Sequence, residues 1–145
     1  MSTIERAIEI AARAHSGQLD KAGEPYIMHP LRVMFAVESM PEKITAVLHD
    51  VVEDSEITPA DLLNEGFSSE IVRAVDLLTK RGNETRVEAG KRAAGDPVAL
   101  KVKLADLADN MQMSRIANPT SADVQRMKDY ETVRSFLLSV LSEVK

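Results

Sequence analysis

Apolar residues recur every three to four positions over most of the chain, a spacing that places them on one face of an α-helix. The pattern begins with Ile4, Ala7 and Ile8 and returns in a last amphipathic segment after Ser121. No segment shows the alternating pattern of a β-strand between hairpin turns. We therefore predict an all-α fold, a single helical bundle of roughly seven to nine helices that occupies residues 1–145 as one domain.

Capping residues and prolines indicate where the helices begin. Ser2 and Glu5 have the spacing of a capping box, and Pro41 fits the start of a helix that continues through His49 and Asp50. Further starts are predicted at Thr58-Pro59, Ser68-Ser-Glu70, Asp96-Pro97 and Ser121. The polar segment that ends at Gly95 has the weakest helical pattern.

The composition supports a helical domain and limits its chemistry. Apolar residues make up 44% of the chain, but only 3% is aromatic, so the core must consist mainly of aliphatic side chains and methionine. There is no Cys, which excludes disulfides, thiolate zinc sites and cysteine nucleophiles. Any metal must therefore be bound by histidines and carboxylates.

Charge and hydropathy narrow the choice of partners. The net charge of −5 argues against broad binding of nucleic acids through their phosphates. No apolar run approaches the roughly 20 residues that span a bilayer, and the first residues do not form a signal peptide. We expect a cytoplasmic protein with a small-molecule partner, and neither a nucleic acid nor a membrane as a partner.

Histidines and carboxylates near helix starts suggest a metal site. Asp106 lies within an apolar run, where a buried carboxylate requires a cation or a basic side chain nearby. Two histidines and two aspartates would bind Mn²⁺, Zn²⁺ or Fe²⁺ and leave positions open for water and a phosphate oxygen. The predicted ligands are His29, His49, Asp50 and Asp106. Glu53 and Asp54 follow within about one helical turn of His49 and are placed to orient that water.

Five short motifs occur in order along most of the chain. They are His15-Ser-Gly-Gln18, Lys21-Ala-Gly-Glu-Pro-Tyr-Ile-Met-His-Pro30, His49-Asp-Val-Val-Glu-Asp54, Leu78-Thr-Lys80 and Val102-Lys-Leu-Ala-Asp106. Together they resemble the hydrolase domain of the RelA/SpoT homologues, which is an HD domain. The chain length resembles that of the stand-alone small alarmone hydrolases, which lack a synthetase domain.

This resemblance implies an activity and a set of site residues. The four predicted ligands match the family's metal positions, usually filled by Mn²⁺, and Glu53 and Asp54 match the pair that activates the attacking water. The implied reaction removes the 3′-pyrophosphate from ppGpp or pppGpp and gives GDP or GTP. Lys21, Tyr26 and Asn110 match positions of the nucleotide pocket, whereas we expect His15 to support the metal shell.

The chain departs from the family pattern around the expected nucleotide pocket. Asp20 stands where an Arg is usual, which reverses a charge near the base. Ala22 and Met113 replace usual hydroxyl positions. The linker after Lys80 is short, so one pocket wall could be supplied by another subunit of a homo-oligomer.

Two other functions remain open from the sequence. An HD enzyme with Asp20 in its pocket could act on an adenine-based alarmone, NADPH or a simple nucleotide. A non-catalytic nucleotide-binding or antitoxin-like module could retain the same helices without turnover.

Overall fold

The computed structural model describes residues 2–112 and 117–143, and these residues form a helical bundle. The helices in the described ranges are α1 Ile4–Ala14, α2 Met28–Phe35, α3 Met40–Leu48, α4 Val51–Asp54, α5 Pro59–Asn64, α6 Ser69–Leu78, α7 Arg86–Lys91, a 3-10 helix Arg92–Gly95, α8 Pro97–Asn110 and α9 Ser121–Glu143. Extended pairing within them is limited to an isolated bridge between Leu19 and Pro25. The predicted all-α fold class is confirmed.

Most helices begin at the capping residues that the sequence indicates. The side chains of Thr58, Ser68 and Asp96 each accept a hydrogen bond from a backbone N–H three residues further on. The prediction for α1 was wrong, because its N-cap is Thr3. The hydroxyl of Ser2 donates instead to the backbone at the end of α5, so it does not cap its own helix.

Helix α3 lies at the centre of the bundle. It packs against α1, α2, α6 and α8, and Ala46, Val47 and Leu48 at its C-terminal end are fully buried. Neighbouring helices therefore surround the end of α3 on several sides. The residues that follow Leu48 are held at a fixed place inside the bundle.

A second cluster of buried residues joins α6, the 3-10 helix, α8 and α9, and Val87 of α7 packs against it. Helix α7 forms in the segment with the weakest sequence pattern, and Thr85 and Glu88 form a capping box at its start. Gly90 lets α7 approach α9 closely, since a Cβ at this position would lie 2.8 Å from a methyl group of Val133. Within the described ranges, no helix is both long and apolar enough to cross a membrane.

Candidate metal centre

Four side chains from three parts of the bundle bring their ligand atoms together. Oδ1 of Asp106 lies 2.8 Å from Nε2 of His29 and 3.2 Å from Nε2 of His49. Oδ2 of Asp50 lies 3.1 Å from Nε2 of His49 and 3.8 Å from Nε2 of His29. Both histidines and Asp106 are buried. The structure thus brings all four sequence-predicted ligands to one point.

A break in the helix explains how His49 and Asp50 reach the same point. The sequence predicts one continuous helix here, but α3 ends at Leu48 and α4 begins at Val51. Adjacent side chains on a helix diverge by about 100°. The break occurs at the two ligands themselves, where Asp50 has φ −102° and ψ −2°. The prediction of a single helix was wrong, because the apolar spacing of α3 continues into α4 and does not reveal the interruption between them.

Hydrogen bonds to the far side of each imidazole fix which ring nitrogen carries a proton. Nδ1 of His49 donates to the carbonyl of Ala46 at 2.5 Å, and Nδ1 of His29 donates to Oδ2 of Asp109 at 2.6 Å. In a neutral ring, Nε2 then carries a lone pair, and this lone pair faces the carboxylates. Such a contact is repulsive unless a cation lies between the groups or the ring takes up a second proton.

The pKa shifts of these groups show that positive charge is favoured at the cluster. Burial alone would lower the pKa of His49, but Asp50 and Asp106 outweigh it and raise that pKa well above its ordinary value. Burial alone would raise the pKa of Asp50, yet its contact with His49 lowers it to about 2. The donor set, two imidazole nitrogens and two carboxylates, fits a divalent cation of the borderline type.

Polar groups around the ligands hold the carboxylates in place. Lys103 Nζ contacts Oδ2 of Asp106 at 3.0 Å, and the amide of Asn110 donates to Oδ1 at 3.1 Å. The hydroxyl of Tyr26 donates to Oδ2 of Asp50 at 2.5 Å. Tyr26 and Asn110, predicted to contact a nucleotide, therefore also bind the predicted metal ligands.

A second layer supports His29 from behind. The guanidinium of Arg32 donates two hydrogen bonds to Asp109, from Nε at 2.7 Å and from Nη2 at 3.0 Å. The His29 hydrogen bond and Arg32 outweigh the effect of burial and hold the pKa of Asp109 well below its usual range. A charged Asp109 keeps the proton of His29 on Nδ1 and so directs Nε2 towards the ligand cluster.

Glu53 and Asp54 lie on α4, directly after the helix break. Oε1 of Glu53 accepts a hydrogen bond from the backbone N–H of Lys80 at 2.9 Å. Burial and the nearby charge of Asp50 raise the pKa of Asp54 to about 6. Nδ1 of His15, a buried side chain, lies 4.0 Å from Oδ2 of Asp54. His15 thus adjoins the acidic pair and lies outside the four-ligand cluster.

Two adjoining cavities lie at this site, and the first of them reaches the four-ligand cluster. One, of about 410 Å³, is lined by Asp50, Asp106 and Glu53. The other, of about 320 Å³, is lined by Asp20 and Lys21. Both also share the lining residues Tyr26, Asn110 and Tyr130. Together they form one cleft with the four ligands at one end and Lys21 at the other.

Asp20 and Lys21 have protein partners within this cleft. Oδ1 of Asp20 accepts hydrogen bonds from the backbone N–H groups of Ala22 and Glu24, each at 2.9 Å. Nζ of Lys21 lies 3.6 Å from a carboxylate oxygen of Asp123. Asp20 therefore shapes the loop that carries Lys21. Met113, which the sequence also associates with this pocket, lies outside the described residues.

Comparison with known proteins identifies the family. Residues 7–145 match the sequence model of the HD domain. This chain belongs to the HD-domain family. A solved structure described as a metazoan ortholog of SpoT that hydrolyses ppGpp has the same fold, with a TM-score of 0.78 at 20% identity over 99% of this chain and 96% of that one.

Curated relatives of this HD domain are much longer proteins. A probable GTP pyrophosphokinase of Mycobacterium leprae (strain TN) is 36% identical in an alignment of 149 positions, and the alignment covers 92% of this chain and 18% of that protein. A guanosine-3′,5′-bis(diphosphate) 3′-pyrophosphohydrolase of Aquifex aeolicus (strain VF5) is 33% identical over 121 residues, which cover 75% and 17%. The HD domain spans less than a fifth of the length of either relative.

Sequence reasoning gave no role to Arg32, Asp109 or Lys103 in this HD domain. A signal was present, because His29 and Arg32 are three residues apart, as are Asp106 and Asp109. Residues three apart lie on the same side of a helix, so a second row of charges beside the predicted ligands was to be expected. Lys103 lies three residues before Asp106 and follows the same rule.

Proposed function

We propose that this HD domain is a metal-dependent phosphohydrolase that removes the 3′-pyrophosphate from ppGpp or pppGpp. The observation that carries the proposal is the convergence of two imidazole nitrogens and two carboxylates at the end of a cleft, with Glu53 and Asp54 on the helix that follows. The names of curated relatives, among them the pyrophosphohydrolase of Aquifex aeolicus, support the choice of substrate.

His29, His49, Asp50 and Asp106 are proposed to bind one divalent cation, and the family resemblance favours Mn²⁺. A cation bound there activates water and offsets negative charge on the phosphates. Glu53 and Asp54 orient the attacking water, and one of these carboxylates accepts its proton. In the metal-free protein, burial and the charge of Asp50 raise the pKa of Asp54 to about 6, and this direction suits a carboxylate that accepts a proton.

The reaction balances as a hydrolysis. The oxygen of water forms a new bond to the phosphorus attached to O3′, and the bond between that phosphorus and O3′ breaks. The electron pair of the broken bond stays on O3′, which takes up a proton. The products are pyrophosphate and GDP or GTP.

Lys21, Tyr26 and Asn110 are proposed to contact the nucleotide in the adjoining cavity. Lys21 is the charged residue among these three, and 56% of its side chain is exposed. Its ammonium group can therefore pair with a phosphate oxygen. We further propose that the protein acts in the cytoplasm on a small-molecule nucleotide. If a second subunit completes the pocket wall after Lys80, the active form is a homo-oligomer.

An adenine-based alarmone is the second candidate substrate. The Asp20 carboxylate can accept a hydrogen bond from an exocyclic amino group, which guanine and adenine both carry, so it does not select guanine over adenine. The loss of the usual Arg therefore weakens the argument for guanine without weakening the argument for the phosphate chemistry. A non-catalytic module is disfavoured, because binding alone does not require Glu53 and Asp54 beside four ligands.

The test uses metal-stripped protein reconstituted with Mn²⁺ and incubated with ppGpp, pppApp and NADPH in parallel. Products are separated by anion-exchange chromatography, with His49→Ala, which removes a proposed metal ligand, as the blank. GDP and pyrophosphate from ppGpp support the proposal. Turnover of another nucleotide alone makes Asp20 the candidate specificity residue, and metal binding without any turnover refutes hydrolysis.

A further inference from the structure

Arg92 organises the loop that leads from α6 to α7. Its Nε donates to the carbonyl of Leu77 at 3.2 Å, its Nη2 donates to the carbonyl of Thr79, and its Nη1 donates to the carboxylate of Glu84. The guanidinium is largely buried, with 18% of the Arg92 side chain exposed. It therefore satisfies backbone carbonyls at the C-terminal end of α6, a place where a cation is favourable.

The peptide group between Thr79 and Lys80 connects this arginine to Glu53. The carbonyl oxygen of that peptide accepts the hydrogen bond from Arg92, and the N–H of the same peptide donates to Oε1 of Glu53 at 2.9 Å. A peptide group is planar, so its C=O and N–H directions are fixed relative to one another. Whatever orients the carbonyl also orients the N–H.

We propose that Arg92 is a positioning residue for Glu53 and acts through the peptide group between Thr79 and Lys80. The proposal rests on the proposed hydrolytic function, in which Glu53 orients the attacking water. The guanidinium charge polarises the peptide and strengthens its N–H as a donor. Glu53 is thereby held by Oε1, and among the residues that the structure describes, Oε2 accepts no hydrogen bond.

The fork of an arginine side chain is needed for this arrangement. Three acceptors from different parts of the loop surround Arg92, namely two carbonyls and one carboxylate. A guanidinium presents its donors in a rigid plane, whereas a lysine ammonium is a single point charge on a flexible stem. Arg92→Lys keeps the charge and is expected to lose the fixed direction of the peptide.

A purely structural role for Arg92 makes a different prediction. If it only stabilised the α6 end, its removal would lower the free energy of unfolding and leave kcat of the folded enzyme unchanged. A positioning role lowers kcat by about 10-fold or more, leaves KM for ppGpp nearly unchanged and leaves the Mn²⁺ dissociation constant unchanged. The matched control is Arg81→Met, because Arg81 lies in the same loop and pairs on the surface with Asp76.

The first experiment compares Arg92→Met, Arg92→Lys and Arg81→Met by steady-state kinetics with ppGpp. It is combined with a double-mutant cycle against Glu53→Gln. We expect Arg92→Met to reduce kcat in the native background and to have little further effect in the Glu53→Gln background. Equal effects in both backgrounds would overturn the proposal.

A second pair of variants isolates the peptide itself. Lys80→Pro removes the N–H that reaches Glu53, and Thr79 at φ −89° and ψ 122° already has the extended backbone that a residue before proline prefers. Lys80→Ala keeps the N–H and removes only the side chain, which lines the cleft. We expect the proline variant to lose at least several-fold more kcat than the alanine variant, and equal losses would contradict the proposal.

Amide hydrogen exchange distinguishes failure of this proposal from failure of the proposed function. In metal-free protein, the Lys80 N–H is expected to exchange faster in Arg92→Met and in Glu53→Gln, and to be unchanged in Arg81→Met. This readout requires no substrate, so it remains informative if ppGpp is not hydrolysed. Unchanged exchange in Arg92→Met would overturn the proposal even if the enzyme is active.

Discussion

Replacing Asp54 with asparagine is expected to stabilise the metal-free protein at neutral pH. Burial and the charge of Asp50 raise the pKa of Asp54 from 3.8 to about 6, so the folded protein holds its proton more tightly than the unfolded chain does. As pH rises between these values, the unfolded chain loses this proton first and stability falls. Asparagine carries no charge and avoids that loss.

The magnitude follows from the size of this difference and from the exposure of the side chain. A difference of about two between the folded and unfolded pKa of Asp54 sets an upper bound of about 3 kcal/mol on the change in unfolding free energy. Since 32% of the Asp54 side chain is exposed, solvent screening reduces this to about 1 kcal/mol. The thermal midpoint should then rise by about 3 °C in a domain of this size.

The assay is urea unfolding of the native protein and the Asp54→Asn variant in a chelating buffer, at pH ~4.5 and pH ~8. The advantage of the variant should be present at the higher pH and much smaller at the lower pH. Comparing the two proteins at each pH cancels the titration of groups that do not interact with Asp54. An advantage of the same size at both pH values would refute the electrostatic explanation.

The remaining predictions concern the metal and the packing of the helices. Asp109→Asn is expected to weaken Mn²⁺ binding by ~10–100-fold in calorimetric titration, because His29 loses its charged partner. The control is Glu9→Gln, which changes an exposed acid on α1. Equal Mn²⁺ affinities of the native protein and Asp109→Asn would contradict the role of Asp109. Gly90→Ala should lower the free energy of unfolding by about 1–3 kcal/mol in urea, since the added Cβ lies 2.8 Å from Val133. The control is Gly95→Ala, whose added Cβ has nothing within 4 Å and should lower it less. Mn²⁺ at ~100 times its dissociation constant should add about 2.7 kcal/mol of stability to the native protein. The same Mn²⁺ concentration should stabilise His49→Ala much less. An equal gain in stability in both proteins would mean that the metal binds elsewhere.

Much of the fold could be predicted because its signals are local. The helix starts at Thr58, Ser68 and Asp96 depend on a side chain and a backbone N–H three residues apart, and both are visible in the sequence. The capping box of Thr85 and Glu88 was equally visible, but a helix of six residues leaves little room for an apolar stripe. Short polar helices are therefore easy to overlook when periodicity is the main criterion.

The break between α3 and α4 could not be predicted in the same way. Val47, Leu48 and Val51 have the spacing of a continuous helix and are all fully buried. The break falls at two adjacent ligands, and the third group they approach, Asp106, comes more than fifty residues later in the chain. The ligands themselves were predictable from residue type, whereas the backbone change that unites them was not.

The role of Arg92 lay outside sequence reasoning for a related physical reason. Two of its three partners are backbone carbonyls, and every residue carries such an acceptor, so nothing in the sequence singles them out. Only the folded chain shows that one of these carbonyls belongs to the peptide that reaches Glu53. Side chains that act through the backbone leave little trace in a sequence.

Charge balance connects the ligand cluster with the groups behind it. Asp50, Asp106 and Asp109 bring three negative charges into the bundle, and Arg32 and Lys103 offset two of them at direct contact. In the metal-free protein the neighbouring carboxylates outweigh burial and raise the pKa of both His29 and His49, so these rings take up a second proton more readily than a free imidazole does. A divalent cation also supplies positive charge and needs both Nε2 atoms free to bind it. Protons and metal therefore compete for the same two nitrogen atoms, so metal affinity is expected to fall as pH falls.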